Sequence, residues 1–426
     1  MGETLLRAVS IVCEVAATVL MLLYAYRALY VVIGLFTTRK FAPAKKYHRY
    51  GIVIAARNEE AVIGSLLDSI AAQEYPAELL KVFVVADNCD PDDRTAAIAR
   101  EKGAVCYERQ DTQHRTKGYA LEFLFDCIAR DYGVDACDGY FVFDADNLLA
   151  PDYIARMNDA VDAGEKIITS CRNTRNFGDN AISFSYGVHW FGTVRAEHRA
   201  RSLLRLSTRL QGTGYYFTSE LVKDGWHYTS LTEDRYLTAD AVLRGYHISY
   251  NDAAMFFDEQ PTTMSVVMRQ RLRWAKGNLH AFADTGWRLF KGIFNGRGFV
   301  SYDIFMTVLP ESLILLVKDI LAFAASLGLL LLGNMTQQAL QEFVFTLGLG
   351  AIGGYLGKVV YPLYIMFIER RRLPKFAFWK KITGSLLWFV FPLIGTVTMV
   401  FALFCRVEWK PIPHKSTARP DLEIEK

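Results

Sequence analysis

Several signatures of common protein classes are missing from this sequence. The seven cysteines show no CxxC or CxxH spacing, which indicates neither a disulfide framework nor a zinc site and fits a reducing, cytosolic face. No G-x-G-x-x-G or Walker sequence follows any predicted strand, so dinucleotide-binding and P-loop folds lose their support. The net charge is only +3 and both signs are mixed through the middle of the chain, which argues against nucleic acid as a partner.

Long apolar segments, in contrast, are abundant. Of the 426 residues, 52% are hydrophobic and 22% are charged, a balance too apolar for an ordinary soluble enzyme. The apolar excess lies within residues 5–36 and 304–405, and the middle of the chain is mixed. Because about 20 apolar residues cross a bilayer, the composition predicts a membrane protein with one large domain outside the membrane.

The first apolar segment, residues 5–36, lacks a small-residue cleavage site and is predicted to be a retained membrane anchor. Its charges, Glu14 and Arg27, lie near its ends, where charged side chains snorkel to the interface. Residues 39–49 contain five Lys or Arg residues and no acid. The positive-inside rule therefore predicts that this flank is cytoplasmic.

Three more apolar segments are predicted to span the membrane, at residues 304–333, 343–368 and 382–405. The loop 334–342 has no Lys or Arg and is expected outside, whereas six basic residues within 370–381 indicate a cytoplasmic loop. A simple last crossing would place the basic tail, residues 406–426, outside, while Pro392 and Gly395 would permit a re-entrant hairpin that returns it to the cytosol. We expect four spans, and the sequence is compatible with a tail on either side of the membrane.

From residue 51 onward, short β-rich runs alternate with helical stretches. The predicted strands and helices alternate at residues 52–54, 59–74, 82–85, 92–103, 105, 115–132 and 140–143. This alternation is typical of a parallel, doubly wound sheet, so the predicted fold class is α/β. A long helix is also predicted over residues 182–210.

Acidic side chains follow three of these strands at the point where each strand ends. Glu59 follows the first, Asp87 the second, and Asp144 and Asp146 the last. Because open α/β folds bind ligands at the carboxyl ends of their strands, these carboxylates are expected along one crevice. The Asp-x-Asp pair suits a metal-bound diphosphate, with one carboxylate on the ribose and the other on Mg²⁺ or Mn²⁺. A solvated turn is the alternative for this pair taken alone.

Two further segments are candidates for ligand contact. Lys117 opens the helix that leads to the Asp-x-Asp strand, where it is either a phosphate ligand or a solvated surface lysine. Gly212 and Gly214 flank Thr213 and suit a backbone that approaches a ligand closely, although a plain turn explains them nearly as well.

Thr232, Glu233 and Asp234 begin another predicted helix. Thr232 has the position of an N-cap with two acids in the first turn, so helix capping alone accounts for this composition. The functional alternative is a general base, because the helix dipole keeps a carboxylate at this position ionised and ready to accept a proton from a sugar hydroxyl.

Gln270, Arg273 and Trp274 share one face of a predicted helix, since positions i, i+3 and i+4 are neighbours on a helix surface. The trio suits a diphosphate beside a sugar, because Arg forks onto phosphate and a flat ring stacks on a pyranose. An amphipathic helix that lies on the membrane is the alternative, and it is compatible with the first interpretation.

Taken in order, these motifs resemble the membrane-integrated, processive family 2 glycosyltransferases, of which bacterial cellulose, poly-N-acetylglucosamine and hyaluronan synthases are the nearest types. The similarity covers roughly residues 50–285. It implies an α/β catalytic domain of the GT-A (Rossmann-like) type joined to an α-helical transmembrane region. The expected boundaries are 1–48 for the first helix and its basic flank, 49–298 for a cytoplasmic catalytic domain, 299–405 for transmembrane helices and 406–426 for a polar tail.

For the donor, the resemblance implies that Glu59 and Asp87 lie beside the nucleobase, usually uracil. Asp144 would then lie near the ribose and Asp146 would bind the metal, Mg²⁺ or Mn²⁺. The chain departs from the family pattern here, because it has Ala86-Asp87-Asn88 where members often have Asp-Asp-Gly.

For the reaction and the acceptor, the resemblance implies that Asp234 is the catalytic base within the Thr-Glu-Asp motif. Gln270, Arg273 and Trp274 would close over the diphosphate and the acceptor end. A second departure lies in the acceptor loop, which reads Gly212-Thr213-Gly214 without a cysteine.

The expected function is the inverting, metal-dependent transfer of a hexose from a UDP-sugar to the growing end of a β-linked polysaccharide, coupled to its translocation across the plasma membrane. The alternative is a single transfer to a lipid, as in the ceramide glucosyltransferases, which the chain also resembles in its Gln-x-x-Arg-Trp motif. A transporter or nucleotide sensor with a degenerate transferase domain is a remote third possibility. Four spans are few for a pore, so a second copy of the chain or a small membrane partner would complete a translocation path.

Overall fold

A computed structural model describes residues 2–332 and 336–407 of the protein. The strands are β1 (Tyr50–Ala56), β2 (Leu80–Asp87), β3 (Val105–Arg109), β4 (Gly139–Asp144), β5 (Leu148–Leu149), β6 (Ile167–Thr174), β7 (Tyr215–Thr218) and β8 (Ile248–Asp258). The helices up to the end of the sheet are α1 (Gly2–Tyr24), α2 (Tyr26–Phe36), α3 (Ile63–Ala71), α4 (Thr95–Glu101), α5 (Lys117–Asp131), α6 (Tyr153–Asp162), α7 (Ala181–Thr193), α8 (Arg199–Leu203) and α9 (Glu233–Arg244). The remaining helices are α10 (Met264–Phe294), α11 (Gly298–Val308), α12 (Glu311–Leu332), α13 (Gln337–Ile368), α14 (Phe378–Leu387) and α15 (Val390–Phe404).

One eight-stranded sheet forms the centre of the α/β domain, in the order β3-β2-β1-β4-β7-β6-β8-β5. The four strands β3, β2, β1 and β4 are parallel, as the alternating pattern predicts. The other half is mixed, because β7 is antiparallel to β4 and β6, and β5 is antiparallel to β8. The alternating pattern covers only residues 51–143 and predicts no strand in this half, where the strands β5 and β7, of two and four residues, leave no periodic signal.

The hydrophobic core has two layers, one on each face of the sheet. Ile52 and Ile54 of β1 point to the layer that α3 and α6 cover. Val53, between them, points to the opposite layer, where it packs with side chains of α5 such as Leu121 and Leu124. Alternating side chains of a fully buried strand thus hold helices against both faces of the sheet. The carboxyl ends of the parallel strands therefore stay aligned along one edge.

The helix predicted over residues 182–210 ends earlier than expected. It consists of α7, a π-helical turn at Val194–His198 and α8, and the helical run stops at Leu203. Arg205 has a φ of +56°, a left-handed conformation that interrupts a helix. The following residues therefore form an irregular segment that leads into β7.

The predicted span at residues 304–333 is two helices. Pro310 separates α11 from α12, because proline lacks the N–H that a continuing helix needs. Asp303 of α11 is buried and accepts hydrogen bonds from Arg201 and from the hydroxyl of Tyr30. The helix α11 therefore packs between the α/β domain and the amino-terminal helices, and the apolar span begins at Glu311.

Four helical segments of the described residues are long and apolar enough to cross a membrane, namely Gly2–Phe36, Glu311–Leu332, Leu340–Ile368 and Phe378–Phe404. Their number agrees with the four predicted spans. In the most apolar stretch of the first three, at most 6% of the residues are buried, whereas 22% are buried in the last segment. Residue 333 of the predicted span, residues 334–335 of the predicted outer loop and residues 408–426 of the predicted tail lie outside the described residues.

Candidate active site

A cavity opens at the carboxyl ends of β1, β2 and β4, and the start of α9 and one face of α10 form its other side. Twelve of the fourteen residues that the sequence singles out line this cavity: Glu59, Asp87, Lys117, Asp144, Asp146, Gly212, Thr232, Glu233, Asp234, Gln270, Arg273 and Trp274. Thr213 and Gly214 are not among the lining residues. The strand-end carboxylates and the helix-borne motifs therefore meet in one place, although up to 215 positions separate them in the sequence, from Glu59 to Trp274.

Lys117 connects three of these motifs. Its ammonium pairs with Asp144 and donates a hydrogen bond of 2.8 Å to the backbone carbonyl of Gly212, and it lies 3.9 Å from the carboxylate of Glu233. Burial disfavours the charge, but Asp144 and Glu233 outweigh burial and raise the pKa of Lys117. Lys117 therefore holds the end of β4 to the start of α9, and its contact with a phosphate stays a prediction.

Asp146 lies in the turn after β4 and is 5% exposed. Its carboxylate accepts hydrogen bonds from the backbone N–H of Glu259 at 3.1 Å and from the side chain of Asn147 at 3.2 Å. The turn therefore aims Asp146 away from Asp144, which faces Lys117, as expected for two carboxylates with different ligands.

The donor set of this edge fits a divalent cation that shares its ligands with a diphosphate. Within the described ranges, no group of three or more His, Cys, Asp or Glu residues is arranged as a closed metal site. Mg²⁺ and Mn²⁺ favour oxygen ligands, and Mg²⁺ in particular is usually held by one or two carboxylates together with substrate phosphates. Asp146 and, beside it in the cavity wall, Asp258 are carboxylates of this kind.

Asp87 is held by two guanidinium groups. Arg57 donates to one oxygen of its carboxylate, and Arg109 donates to the other at 2.6 Å, so the protein more than balances the single charge of this buried acid. Asn88 adopts a φ of +51°, the left-handed region that glycine adopts freely and asparagine tolerates. Asn88 thus fills the conformational role of the glycine in the Asp-Asp-Gly pattern from which this chain departs.

The Thr-Glu-Asp motif stands at the first turn of α9, but Thr232 does not cap the helix with its side chain. Its hydroxyl is buried and has no hydrogen-bond partner in the part of the chain that the structure describes. The capping interpretation is therefore wrong for the side chain, while Thr232 keeps the N-cap position. Glu233 is 4% exposed, and burial raises its pKa to about 7, partly opposed by Lys117. Asp234, the next residue, is more exposed and faces the cavity near Gly212.

The Gln-x-x-Arg-Trp motif lies on α10 with its three side chains toward the cavity. Gln270 accepts a hydrogen bond of 2.7 Å from the hydroxyl of Tyr186, and Arg273 donates one of 3.0 Å to the carbonyl of Leu231. The ring of Trp274 makes an edge-to-face contact with Tyr186 at 6.1 Å between centroids. These contacts fix the motif beside the Thr-Glu-Asp turn.

Only the first residue of the predicted acceptor loop reaches the cavity. The hydroxyl of Thr213 is buried and binds the backbone N–H of Asp144 and the side chain of Asn147, so it stabilises the Asp-x-Asp turn. Gly214 is packed on Phe256, where a Cβ would lie 2.1 Å from the ring. The structure thus corrects the predicted acceptor contacts of Thr213 and Gly214, because both are committed to packing.

Several polar residues of the cavity were not predicted from the sequence. Arg172 pairs with Asp258, and burial raises the pKa of this acid although Arg172 opposes the shift. Arg209, Arg235 and His189 form the wall near Asp234. Arg235 follows the Thr-Glu-Asp motif directly, so its position was available as a signal, whereas Arg209 and His189 come from irregular or distant segments.

A family model described as glycosyltransferase like family 2 matches residues 48–277, more than half of the chain. A probable glycosyltransferase of Bacillus subtilis, YdaM, is 29% identical over 256 residues, 55% of this chain and 56% of its own. A beta-monoglucosyldiacylglycerol synthase of Synechocystis is 25% identical over 254 residues, 57% of this chain and 50% of its own. A poly-beta-1,6-N-acetyl-D-glucosamine synthase of Staphylococcus aureus is 25% identical over 228 residues, 53% of each chain.

The chain spans about half the length of the curated relatives it matches. Among solved structures, a mannosyltransferase of Pyrobaculum calidifontis, PcManGT, determined with GDP-Man and Mn²⁺, superposes with a TM-score of 0.58. The match covers 86% of this chain and 98% of the other at 19% identity. At this identity the similarity shows a shared fold, the GT-A type of α/β domain with its helical additions.

Proposed function

The chain belongs to the glycosyltransferase-like family 2, and from this membership we propose that it transfers a hexose from a UDP-sugar to an acceptor hydroxyl with inversion. The observation that carries the proposal is the cavity itself, whose wall contains the Asp-x-Asp carboxylates, Asp234 and the Gln-x-x-Arg-Trp face. The acceptor oxygen attacks the anomeric carbon, the bond to the diphosphate breaks, and Asp234 takes the hydroxyl proton.

Asp146 would hold the metal, Mg²⁺ or Mn²⁺, which would supply charge neutralisation for the departing diphosphate. The mannosyltransferase with the same fold was determined with Mn²⁺, which supports a divalent metal here. That protein was determined with GDP-Man, so a guanine nucleotide is the first alternative to UDP. In the proposal Glu59 and Asp87 lie on the nucleobase side, Asp144 lies near the ribose, and Gln270 and Arg273 lie near the diphosphate.

Glu233 and Lys117 hold Asp234, the proposed base, in a suitable electrostatic environment. Glu233 is buried next to Asp234, and its raised pKa keeps part of the population protonated near neutral pH. A neutral Glu233 adds no second negative charge beside Asp234, so the base accepts the proton without a like charge at close range. Lys117, which lies 3.9 Å from Glu233, fixes this arrangement to the end of β4.

A lipid acceptor is the better supported of the two acceptor classes. His189 and Trp190 line the same cavity as Asp234, and the ring of His189 also contacts Phe391 of the last apolar segment at 5.4 Å between centroids. The cavity therefore adjoins a helix with a broad apolar surface, from which a lipid head group can enter. In their most apolar stretches the first three candidate spans bury at most 6% of their residues, so most of these side chains are free to face lipid.

A growing polysaccharide is the second candidate, and the position of Trp274 favours it. The indole lies in the cavity wall beyond Arg273, where it would stack on a sugar ring of the acceptor. One of the relatives is a poly-N-acetylglucosamine synthase, which acts on such a polymer by its name. Because four candidate spans are few for a pore, translocation would require a second copy of the chain or a small membrane partner.

We further propose that the protein is a multi-pass protein of the plasma membrane with its catalytic domain in the cytoplasm. The basic flank at residues 39–49 and the Arg-rich segment 370–372, which docks on the α/β domain through an ion pair between Arg372 and Asp252, support this orientation.

A donor panel tests the proposal. Purified full-length protein in detergent with total membrane lipid would be incubated with UDP-glucose, UDP-N-acetylglucosamine, UDP-galactose and GDP-mannose, and nucleotide release and product mass would be followed. We expect metal-dependent release from one UDP-sugar and a lipid that gains one hexose. Long chains at early times would instead establish the polymer, and no release from any donor would contradict the transferase.

A further inference from the structure

The end of the cavity that faces the acceptor carries a group of arginines that the donor chemistry does not use. Arg209 and Arg235 line the wall next to Asp234, on the side of His189 and Trp190. Arg271, on α10 between the Gln and Arg of the Gln-x-x-Arg-Trp motif, lies just outside this wall against α15. Its guanidinium packs on the ring of Phe391 at 4.1 Å from the centroid.

The protein neutralises these cations incompletely. Arg209 donates a hydrogen bond of 3.0 Å to Glu197, and the same carboxylate accepts one of 2.9 Å from Arg201, which also pairs with Asp303. Arg235 has no hydrogen bond or ion pair to any other side chain among the residues that the structure describes, and one nitrogen of Arg271 is buried without a partner. All three arginines are partly buried, and cations in a cleft that have fewer partner anions than charges attract an anionic ligand.

The pKa shifts of these arginines and of His189 also indicate a positive potential in this part of the cavity. Burial and the charge of Arg209 lower the pKa of Arg235, and burial lowers the pKa of Arg271. Burial, Arg271 and Arg209 together lower the pKa of His189 to about 3. His189 is therefore neutral at physiological pH, and it lies within the electrostatic reach of both Arg271 at the apolar helix and Arg209 in the cavity. The positive potential thus extends from α15 to Asp234.

A nucleophile that needs Asp234 as a base is a hydroxyl, because a phosphate monoester is already ionised at neutral pH and needs no base. An acceptor that suits both the base and the arginines has a hydroxyl at Asp234 and an anion at the arginines, since guanidinium groups match phosphate oxygens. Neutral diacylglycerol and neutral polysaccharide have the hydroxyl without the anion.

We propose that the acceptor is an anionic lipid whose phosphate lies next to the hydroxyl that is glycosylated, and that Arg209, Arg235 and Arg271 bind this phosphate. The inference rests on the function proposed above and names the substrate class of the same cavity. Both a phospholipid head group with free hydroxyls and a sugar carried on a lipid diphosphate have this chemistry.

The test compares acceptors in phosphatidylcholine vesicles with the full-length protein and the donor found by the panel. One vesicle contains phosphatidylglycerol, the second a polyprenyl-diphosphate-linked sugar, and the third diacylglycerol. We expect transfer in the first or second vesicle, which identifies the source of the phosphate, and at most weak transfer in the third.

The variants Arg235→Gln and Arg271→Gln separate the acceptor from the donor. A hydrogen bond to a charged group is worth about 1.5–3 kcal/mol, so each variant should raise the acceptor KM roughly tenfold or more. The KM for the donor in its slow hydrolysis by water should stay within about twofold, which also shows that the variants fold. Arg269→Gln on the exposed side of the same helix removes the same charge and should leave both constants unchanged.

Efficient transfer to diacylglycerol, with an unchanged acceptor KM in both variants, would overturn the anionic acceptor and leave the transferase intact. A raised donor KM in Arg235→Gln would assign these cations to the donor and also overturn it. Failure of the wild-type protein to release nucleotide from any donor, even with a total lipid extract, would contradict the transferase itself.

Discussion

Gly277 of α10 lies directly against Thr232 at the start of α9, so closely that a Cβ on Gly277 would be 2.4 Å from Cγ2 of Thr232. Gly277 follows the Gln-x-x-Arg-Trp motif by one helical turn, and Thr232 opens the motif that contains Asp234. The contact between Gly277 and Thr232, which leaves no room for a side chain on Gly277, thus sets the relative position of the two motifs. Their relative position, which decides the distance between base and acceptor, depends on this glycine.

The variant Gly277→Ala should therefore lose activity without unfolding. Overpacking costs about 1–3 kcal/mol, and a shift of about 1 Å at a catalytic centre can lower a rate 100-fold. We expect kcat to fall roughly 10- to 100-fold with nucleotide still bound, measured by UDP release and by nucleotide titration. The control is Gly350→Ala, since a Cβ on Gly350 meets nothing within 4 Å. Equal kcat in both variants would contradict the role of the contact.

Asp234→Asn tests the base. Loss of a general base typically lowers the rate by about 10²–10⁴-fold, whereas the amide has nearly the same size and leaves the cavity intact. We expect near-normal binding of UDP and turnover reduced by that factor. Asp126→Asn, which removes an exposed carboxylate from α5, serves as the control. Turnover near that of the wild type would remove Asp234 from the mechanism.

Removal of the metal should abolish transfer. Chelation with EDTA is expected to stop the reaction, and Mn²⁺ or Mg²⁺ should restore it, because the leaving diphosphate carries charge that the protein neutralises only in part. Asp146→Asn should require a higher metal concentration for half-maximal rate, roughly tenfold or more, since a buried carboxylate is lost. Full activity in excess EDTA would refute the metal assignment.

The sequence predicts the first half of this fold well, for a physical reason. The strands β1, β2 and β4 are buried on both faces, so they appear as apolar runs that end abruptly in acids, and both the strands and the crevice at their ends follow from that pattern. In the second half, β5 and β7 have only two and four residues, which is too short for any period, and the longer strands β6 and β8 were not identified. The helical run of this half is broken at Arg205 by a left-handed conformation that the sequence does not signal.

The candidate site was also predicted only in part. The sequence analysis places Asp146 and Asp234 in motifs, and the structure brings both residues into one cavity. Their roles as metal ligand and base, which the family resemblance implies, stay predictions. The partners of these residues could not be assigned, since they depend on tertiary contacts. Lys117 shows this best, because a lysine at a helix start suits a phosphate, yet here its ammonium contacts Asp144 and Gly212. The arginines near Asp234 were missed for the same reason, as only the fold brings Arg209 beside Arg235.

Glu233 should make stability depend on pH in a defined direction. Burial raises its pKa from the ordinary value of 4.5 to about 7, so the folded state binds this proton more tightly than the unfolded chain does. The stability that the protonated group contributes is fully present below pH 4.5 and is lost as the pH rises toward 7. Glu233→Gln cannot ionise and should avoid this loss.

We therefore expect the Tm of Glu233→Gln, relative to that of the wild type, to rise between pH 5 and pH 8 by roughly 2 °C or more, measured by thermal scanning in detergent. Glu78→Gln removes an exposed carboxylate and should show no such trend. A difference that stays constant or falls with pH would show that Glu233 is ionised at no cost in the folded protein.

Contacts at both ends of the last apolar segment bear on the side of the membrane that the tail occupies. Near its start, Lys380 donates a hydrogen bond of 2.6 Å to the carbonyl of Gly178 in the α/β domain. At its end, Lys276 of α10 donates one of 2.9 Å to the carbonyl of Ala402. A straight helix of 27 residues is about 40 Å long, so an upright span would carry one end far from the domain.

We expect this segment to lie along the membrane-facing side of the domain, with the tail on the same side as the active site. Trp388 and Phe391 pack inward, while exposed side chains such as Leu393 and Phe401 would face lipid. Green fluorescent protein, which fluoresces in the cytoplasm, should therefore be bright when fused after Lys426, as it should be after Ile368, and dark when fused after Leu332. A dark fusion at Lys426 beside a bright one at Ile368 would establish a fourth crossing.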